Sequence, residues 1–242
     1  VIRAGTSGFA YREWKGNFYP KDLATHAMLA HYASKLSAVE INNTFYKRPD
    51  PKHVTAWAAC VPDSFRFVFK ASRYFSAGPG LKDARKPLAD FFALLAPAKD
   101  KLGAVLVQLP AHVKKDVGML ADFVAAIPRG KRVAIELVDA SWRGADTERV
   151  LRDSNVAACV TDADGAPAPD MIATAAWGYV RLRKKSYDAR ALDAWAARLR
   201  DAKLDDAFVF FKHEDAGKGP KMAMALLEIV SRAQSTTTRS SR

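Results

Sequence analysis

Apolar residues along this chain recur in two rhythms, and the two alternate. Eight short runs are either continuously apolar or apolar at every second position: Ile2–Thr6, Ala38–Asn42, Phe65–Ala71, Ala104–Leu109, Arg132–Leu137, Val156–Asp162, Gly178–Arg183 and Ala207–His213. These read as strands. Between them the apolar positions step by three and four. Val54, Trp57, Ala58 and Val61 form one stripe, Leu88, Phe91, Phe92 and Leu95 a second, and Leu120, Phe123, Val124 and Ile127 a third. Leu192, Trp195 and Leu199, then Met222, Leu226 and Ile229, continue the pattern. Such stripes are the core faces of amphipathic helices. Asp170–Ala176 is the poorest of them, a weak helix at best.

Strand and helix alternating eight times over 242 residues predict a single (β/α)8 barrel of the TIM type, with parallel strands inside and helices outside. A doubly wound open sheet is the alternative, but no G-x-G-x-x-G or G-K-[ST] loop follows the first strand. No linker rich in Gly, Ser or Pro divides the chain. One domain over 1–234 is therefore expected, followed by a polar tail, "STTTRSSR", read as disordered over 235–242. The longest connection, Ser72 to Lys86, follows the third strand and is a candidate active-site loop.

Barrel strands point successive side chains inward and outward. In the third strand, "FRFVFK", the three in-phase phenylalanines belong against helices, so Lys70 should face the interior. The same alternation sets Glu40 and Asn42 opposite Val39 and Ile41, and Gln108 in phase with Leu106. It sets Glu136 on the Ala134 face, Arg181 and Arg183 opposite Val180 and Leu182, and Lys212 in phase with Phe210. Asp162 ends the sixth strand. A parallel sheet covered on both sides should read as continuous apolar runs. Polar residues near the C-terminal ends of strand after strand are what a site at the barrel mouth produces. A purely structural ring of ion pairs would leave the same pattern.

Composition narrows the classes. Lys and Arg number 38 against 26 acidic residues, a net charge of +12. That surplus favours anionic partners, nucleic acid among them. The densest basic stretch is "RLRKKSYDAR", from Arg181 to Arg190. Two cysteines, Cys60 and Cys159, without C-x-x-C spacing, argue against a disulfide scaffold and a structural zinc site and fit a reducing, cytoplasmic setting. No run of about 18 apolar residues marks a membrane span. Val1-Ile2-Arg3 leads straight into a strand, so no signal peptide is expected, and the missing Met points to a processed or trimmed start.

Five blocks carry a resemblance. "GTSGFAYREWKGNFYP" (Gly5 to Pro20) and "VEINNTFYKRP" (Val39 to Pro49) are long and specific, and "FRFVFKASR", "LGAVLVQLP" and "AIELVDASW" follow in order. Together they resemble the YecE-like family, domain of unknown function 72. The resemblance implies a TIM-type barrel and no established reaction. It covers almost the whole chain and retains Glu40, Asn42, Tyr46, Lys70, Gln108, Glu136 and Trp142. The family often has Arg-His after the glutamate of the fifth strand, where this chain has Val138-Asp139. It often has Thr-His after the third strand, where this chain has Phe75-Ser76-Ala77. Its Leu-His-Gly and Phe-Asn-Asn of the last two strands are here Leu182-Arg183-Lys184 and Phe211-Lys212-His213.

Several chemistries suit these residues. Glu40 and Glu136 across one mouth could exchange protons as acid and base, or act as nucleophile and acid as in glycoside hydrolysis. Lys70 could be a nucleophilic amine, an ion-pair partner or a substrate clamp. Tyr46 and Trp142 could stack a sugar or base, or cap the core. Asn42, Gln108, Asp162, Arg181 and Lys212 complete the expected binding set. The five histidines have no H-x-H or H-E-x-x-H spacing, so no metal site is expected; Glu40, Glu136, Asp162 and His213 are the residues a Mg or Mn site would need. "GTSG", Gly5 to Gly8, could bring backbone amides to an anion or simply make a tight turn. No cofactor and no oligomeric state is specified. The expectation is an enzyme or ligand-binding barrel with a charged mouth for an anionic, phosphorylated or nucleotide-like small molecule. The alternative is a non-catalytic nucleic-acid-binding barrel using basic loops.

Overall fold

A computed structural model describes residues 1–76, 81–212 and 215–240. Eight parallel strands form one sheet in the order β1-β8-β7-β6-β5-β4-β3-β2. They are β1 (Ile2–Thr6), β2 (Ala38–Ile41), β3 (Arg66–Lys70), β4 (Leu102–Leu109), β5 (Val133–Leu137), β6 (Ala157–Asp162), β7 (Trp177–Leu182) and β8 (Asp206–Phe211). Around them lie α1 (Met28–Ala33), α2 (Pro51–Ala59), α3 (Arg85–Leu95), α4 (Val117–Ala125), α5 (Ala145–Asp153), α6 (Ala189–Asp201) and α7 (Lys218–Ser240). This is the single TIM-type barrel that the alternating rhythms predict. Asp50, Asp116 and Asp188 start α2, α4 and α6 by accepting N–H bonds from Lys52, Met119 and Ala191.

The seam between β1 and β2 closes differently from the rest. Among the described residues the pairing there is Ser7 with Glu40, just beyond β1, with the Gly8 N–H donating to Glu40 O at 2.8 Å. Below that bridge Tyr32, on α1, supplies the missing ladder. Its hydroxyl accepts from the Thr6 N–H at 2.7 Å and bonds to Ala38 O at 3.0 Å. The backbones come so close that a Cβ on Gly5 would lie 1.8 Å from Ala38 O. Glycine is required at that position.

Two layers of core separate by strand phase. Inside the barrel pack Ala38, Val68, Leu106, Trp177, Tyr179, Phe208 and Phe210, with smaller residues between them. Outside, Phe65, Phe67 and Phe69 join the helix stripes, as their phase requires. Asp170–Ala176 departs from expectation: no helix forms there. Pro167 and Pro169 shorten any helical start, and Thr174 is buried with its hydroxyl on Val156 O and on the Ala158 N–H, both at 2.7 Å. That segment is tied to the start of β6 instead. His213, at the end of the expected eighth strand, and residues 77–80 of the long loop lie outside the described residues.

Candidate functional site at the barrel mouth

The inward phase of six strands delivers one polar side chain each to the C-terminal end of the barrel. Adjacent parallel strands place Gln108 level with Glu136, and Thr161 level with Arg181. A belt of hydrogen bonds follows these neighbours. Lys70 Nζ donates to Gln108 Oε1 at 2.8 Å, and Gln108 Nε2 donates to Glu136 Oε2 at 2.7 Å. Thr161 Oγ1 donates to Glu136 Oε1 at 2.5 Å. Lys70 also sits 4.2 Å above the ring of Phe45.

Arg181 joins the two sides of the mouth. Its Nη1 donates to Glu136 Oε2 at 2.7 Å and its Nη2 to Glu40 Oε1 at 3.0 Å. Glu40 is wholly buried and Arg181 is 4% exposed. Ser7 Oγ and Asn42 Nδ2 add bonds to Glu40 Oε1 at 2.7 and 3.1 Å, and Tyr179 OH donates to Oε2 at 2.6 Å. Burial alone would raise the Glu40 carboxyl; the Arg181 charge, then the hydroxyls of Tyr179 and Ser7, outweigh it and bring the carboxyl down to about 2. Burial opposes the charge of Arg181, but Glu40 and Glu136 more than offset that and hold the guanidinium above its ordinary value.

This geometry sets the surroundings of the two glutamates expected to exchange protons. A pair that works as acid and base needs substrate between its carboxyls. Here one guanidinium lies between them and bonds both. Glu40 has both oxygens engaged by four donors, which hold its carboxyl well below the usual carboxylate range and tie it to Arg181 and Tyr179. Lys70 differs. Burial, then the nearby charge of Arg181, lowers its proton affinity, with Glu40 and Glu136 pulling the other way. Arg183, next on the inward phase after Arg181, donates from Nη1 to Ser7 Oγ at 2.8 Å. Burial and Arg181 lower its proton affinity too. Burial likewise raises the Cys159 thiol, which sits 3.7 Å from Thr161 Oγ1, well above its ordinary value.

Other expected residues fall elsewhere. Asp162 is one step out of phase with Thr161, so it faces the helices. Trp195 Nε1 of α6 donates to its Oδ2 at 3.1 Å, and Lys184 pairs with its Oδ1 at 3.0 Å. Trp142 is buried in the core with Nε1 donating to Val113 O at 2.9 Å. Tyr46 is 76% exposed, beyond the Phe45 that contacts Lys70. Lys212 is half-buried after β8, with its N–H on Leu182 O. Asp162 is therefore separated from Glu40 and Glu136, and the oxygen cage considered for Mg or Mn does not assemble from these three. His213, its fourth member, is outside the described residues. No group of three or more His, Cys, Asp or Glu suited to a metal occurs among the described residues. Ser7, Thr161 and Tyr179 were not among the expected site residues. Ser7 stands in the Gly-rich turn and the other two share the inward phase, a signal available in the sequence but obscured by their ordinary residue types.

Residues 3–242 match the family described as "Protein of unknown function DUF72". The chain belongs to the DUF72 family. Two solved DUF72 proteins share its fold. One from Thermotoga maritima is 22% identical with a TM-score of 0.78, covering 96% of this chain and 99% of that one. One from Enterococcus faecalis is 20% identical with a TM-score of 0.77, covering 96% of each. A xylose isomerase domain protein from Alicyclobacillus acidocaldarius is more distant, at 15% identity and a TM-score of 0.52 over 88% of this chain and 95% of that one. No curated protein matches the chain. Among the described residues of this DUF72 barrel, no helix is long and apolar enough to cross a membrane.

Proposed function

We propose that this DUF72 barrel binds an anionic small molecule, phosphorylated or nucleotide-like, at its C-terminal mouth, with Lys70 and Arg183 facing the anion. One observation carries the reading. Three cations, Lys70, Arg181 and Arg183, stand against two carboxylates that are both bonded to Arg181. The mouth is therefore short of negative charge where water is partly excluded. Burial already disfavours the ammonium of Lys70, and an anion beside it would reverse that penalty. Of the three residues expected to do chemistry, Lys70 is the one we assign to proton exchange with bound ligand.

The nucleic-acid alternative gains nothing from the basic stretch. Arg181 is buried between carboxylates, Arg183 turns in to Ser7, and Lys184 is paired with Asp162. Of its basic residues only Lys185 and Arg190 are exposed.

Native mass spectrometry of freshly purified protein should reveal a co-purifying anion. Titration calorimetry at low salt should show inorganic phosphate or pyrophosphate binding that weakens at least tenfold in Lys70→Met and in Arg183→Met, a loss of about 1.4 kcal/mol. Equal affinity in wild type and the double variant would refute the reading.

A further inference from the structure

Beside the charged mouth lies a second space with different chemistry. A cavity of about 260 Å³ is lined by Gly8, Phe9, Tyr11, Ile41, Asn42 and Trp57, among others, and no charged side chain contributes to its lining among the described residues. Phe9 and Trp57 meet at 89° with ring centroids 6.3 Å apart, giving the space two aromatic walls. Gly8 has a φ of +87°, and a Cβ there would fall 2.5 Å from the Tyr11 hydroxyl, so the turn that shapes one side needs glycine.

Two residues join this cavity to the mouth. Asn42 lines it and also donates from Nδ2 to Glu40 Oε1. The opposite amide orientation would set two acceptors against each other, so Glu40 fixes which way Asn42 faces. Asn42 Oδ1 is left buried without a hydrogen-bond partner. A buried acceptor in that state calls for a donor. Ser7 is the other link. Its carbonyl accepts from Tyr11 OH at 2.8 Å, while its hydroxyl accepts from Arg183. Cavity wall and mouth cation thus share one residue.

From this juxtaposition we infer that the ligand has two parts: an oxoanion held by Arg183 and Lys70, and an uncharged ring bearing an O–H or N–H donor, seated between Phe9, Tyr11 and Trp57 with its donor on Asn42 Oδ1. Aromatic walls and the oriented amide of Asn42 suit a hydroxylated or N–H-bearing ring and would disfavour a second charge. Tyr46 and Trp142 have no part in seating it. The inference rests on the anion-binding reading above and deepens it to a ring monophosphate.

The test compares inorganic phosphate with ribose 5-phosphate by titration calorimetry on the whole chain, in wild type, Asn42→Ala and Trp57→Ala. The expected result is that ribose 5-phosphate binds wild type at least tenfold more tightly than phosphate, that Asn42→Ala loses this gain, and that Trp57→Ala loses it while keeping its phosphate affinity. Retained phosphate binding in Trp57→Ala also certifies that this variant is folded. Equal affinity of the two probes for wild type would overturn the ring site and leave the anion site standing. A gain that persists in both variants would overturn it as well. Failure of both probes to bind would overturn the inference together with the reading beneath it.

Discussion

Replacing Arg181 with methionine tests the reasoning about the mouth most directly. The change keeps most of the side-chain length and removes the charge that bonds both glutamates. In the wild type, folding lowers the Glu40 carboxyl from its ordinary 4.5 to about 2. A shift of that size corresponds to about 3 kcal/mol of stability. The sign follows from the direction. A depressed carboxyl stabilises the fold fully above its unfolded value, and that contribution is lost as pH falls from about 4.5 toward 2. Without Arg181, burial dominates at Glu40 and raises the carboxyl instead. Its contribution then changes sign, and the variant loses stability as pH rises. At pH 7 the expected loss is about 3 to 5 kcal/mol, the range for breaking a buried ion pair by removing one partner. Urea unfolding followed by circular dichroism from pH 3 to 8 would measure both the size and the slope. A variant within about 1 kcal/mol of wild type at pH 7, or one with the wild-type slope between pH 3 and 4.5, would refute the argument. Adding Glu40→Gln to Arg181→Met should recover part of the loss, because a neutral amide no longer requires the cation.

Three further predictions follow from other contacts. Gly5→Ala should prevent folding or lower the thermal midpoint sharply, since its Cβ would lie 1.8 Å from Ala38 O; soluble expression with a wild-type melting curve would contradict the tight seam. Tyr32→Phe leaves the Thr6 N–H and Ala38 O without the hydroxyl that joins them, a loss of about 1–3 kcal/mol in urea unfolding. The Lys70 amine should titrate below the exposed lysines, because burial and Arg181 lower it, and should move upward when phosphate is added; NMR of reductively methylated lysines would detect both shifts, and an unmoved Lys70 signal would count against the anion site.

How the site divides between sequence and fold can be followed residue by residue. The sequence by itself determined the element order and the inward set. A strand's pleat alternates side chains locally, so Glu40, Lys70, Gln108, Glu136 and Arg181 could be assigned to the interior without knowing any long-range contact. The three in-phase phenylalanines, Phe65, Phe67 and Phe69, settled the phase of Lys70 by the same rule. Tertiary structure decided who meets whom. Arg181 is 141 residues from Glu40 in sequence, and the stagger of the closed barrel brings them to 3.0 Å. One step of phase turned Asp162 outward to Trp195 while Thr161 reached Glu136. Packing sent Trp142 into the core and left Tyr46 in solvent, and the β1–β2 seam put Ser7, a residue with no chemical signature of its own, between Glu40 and Arg183. Alternation is written into every strand, but the level at which each side chain stands is a property of eight strands closing together.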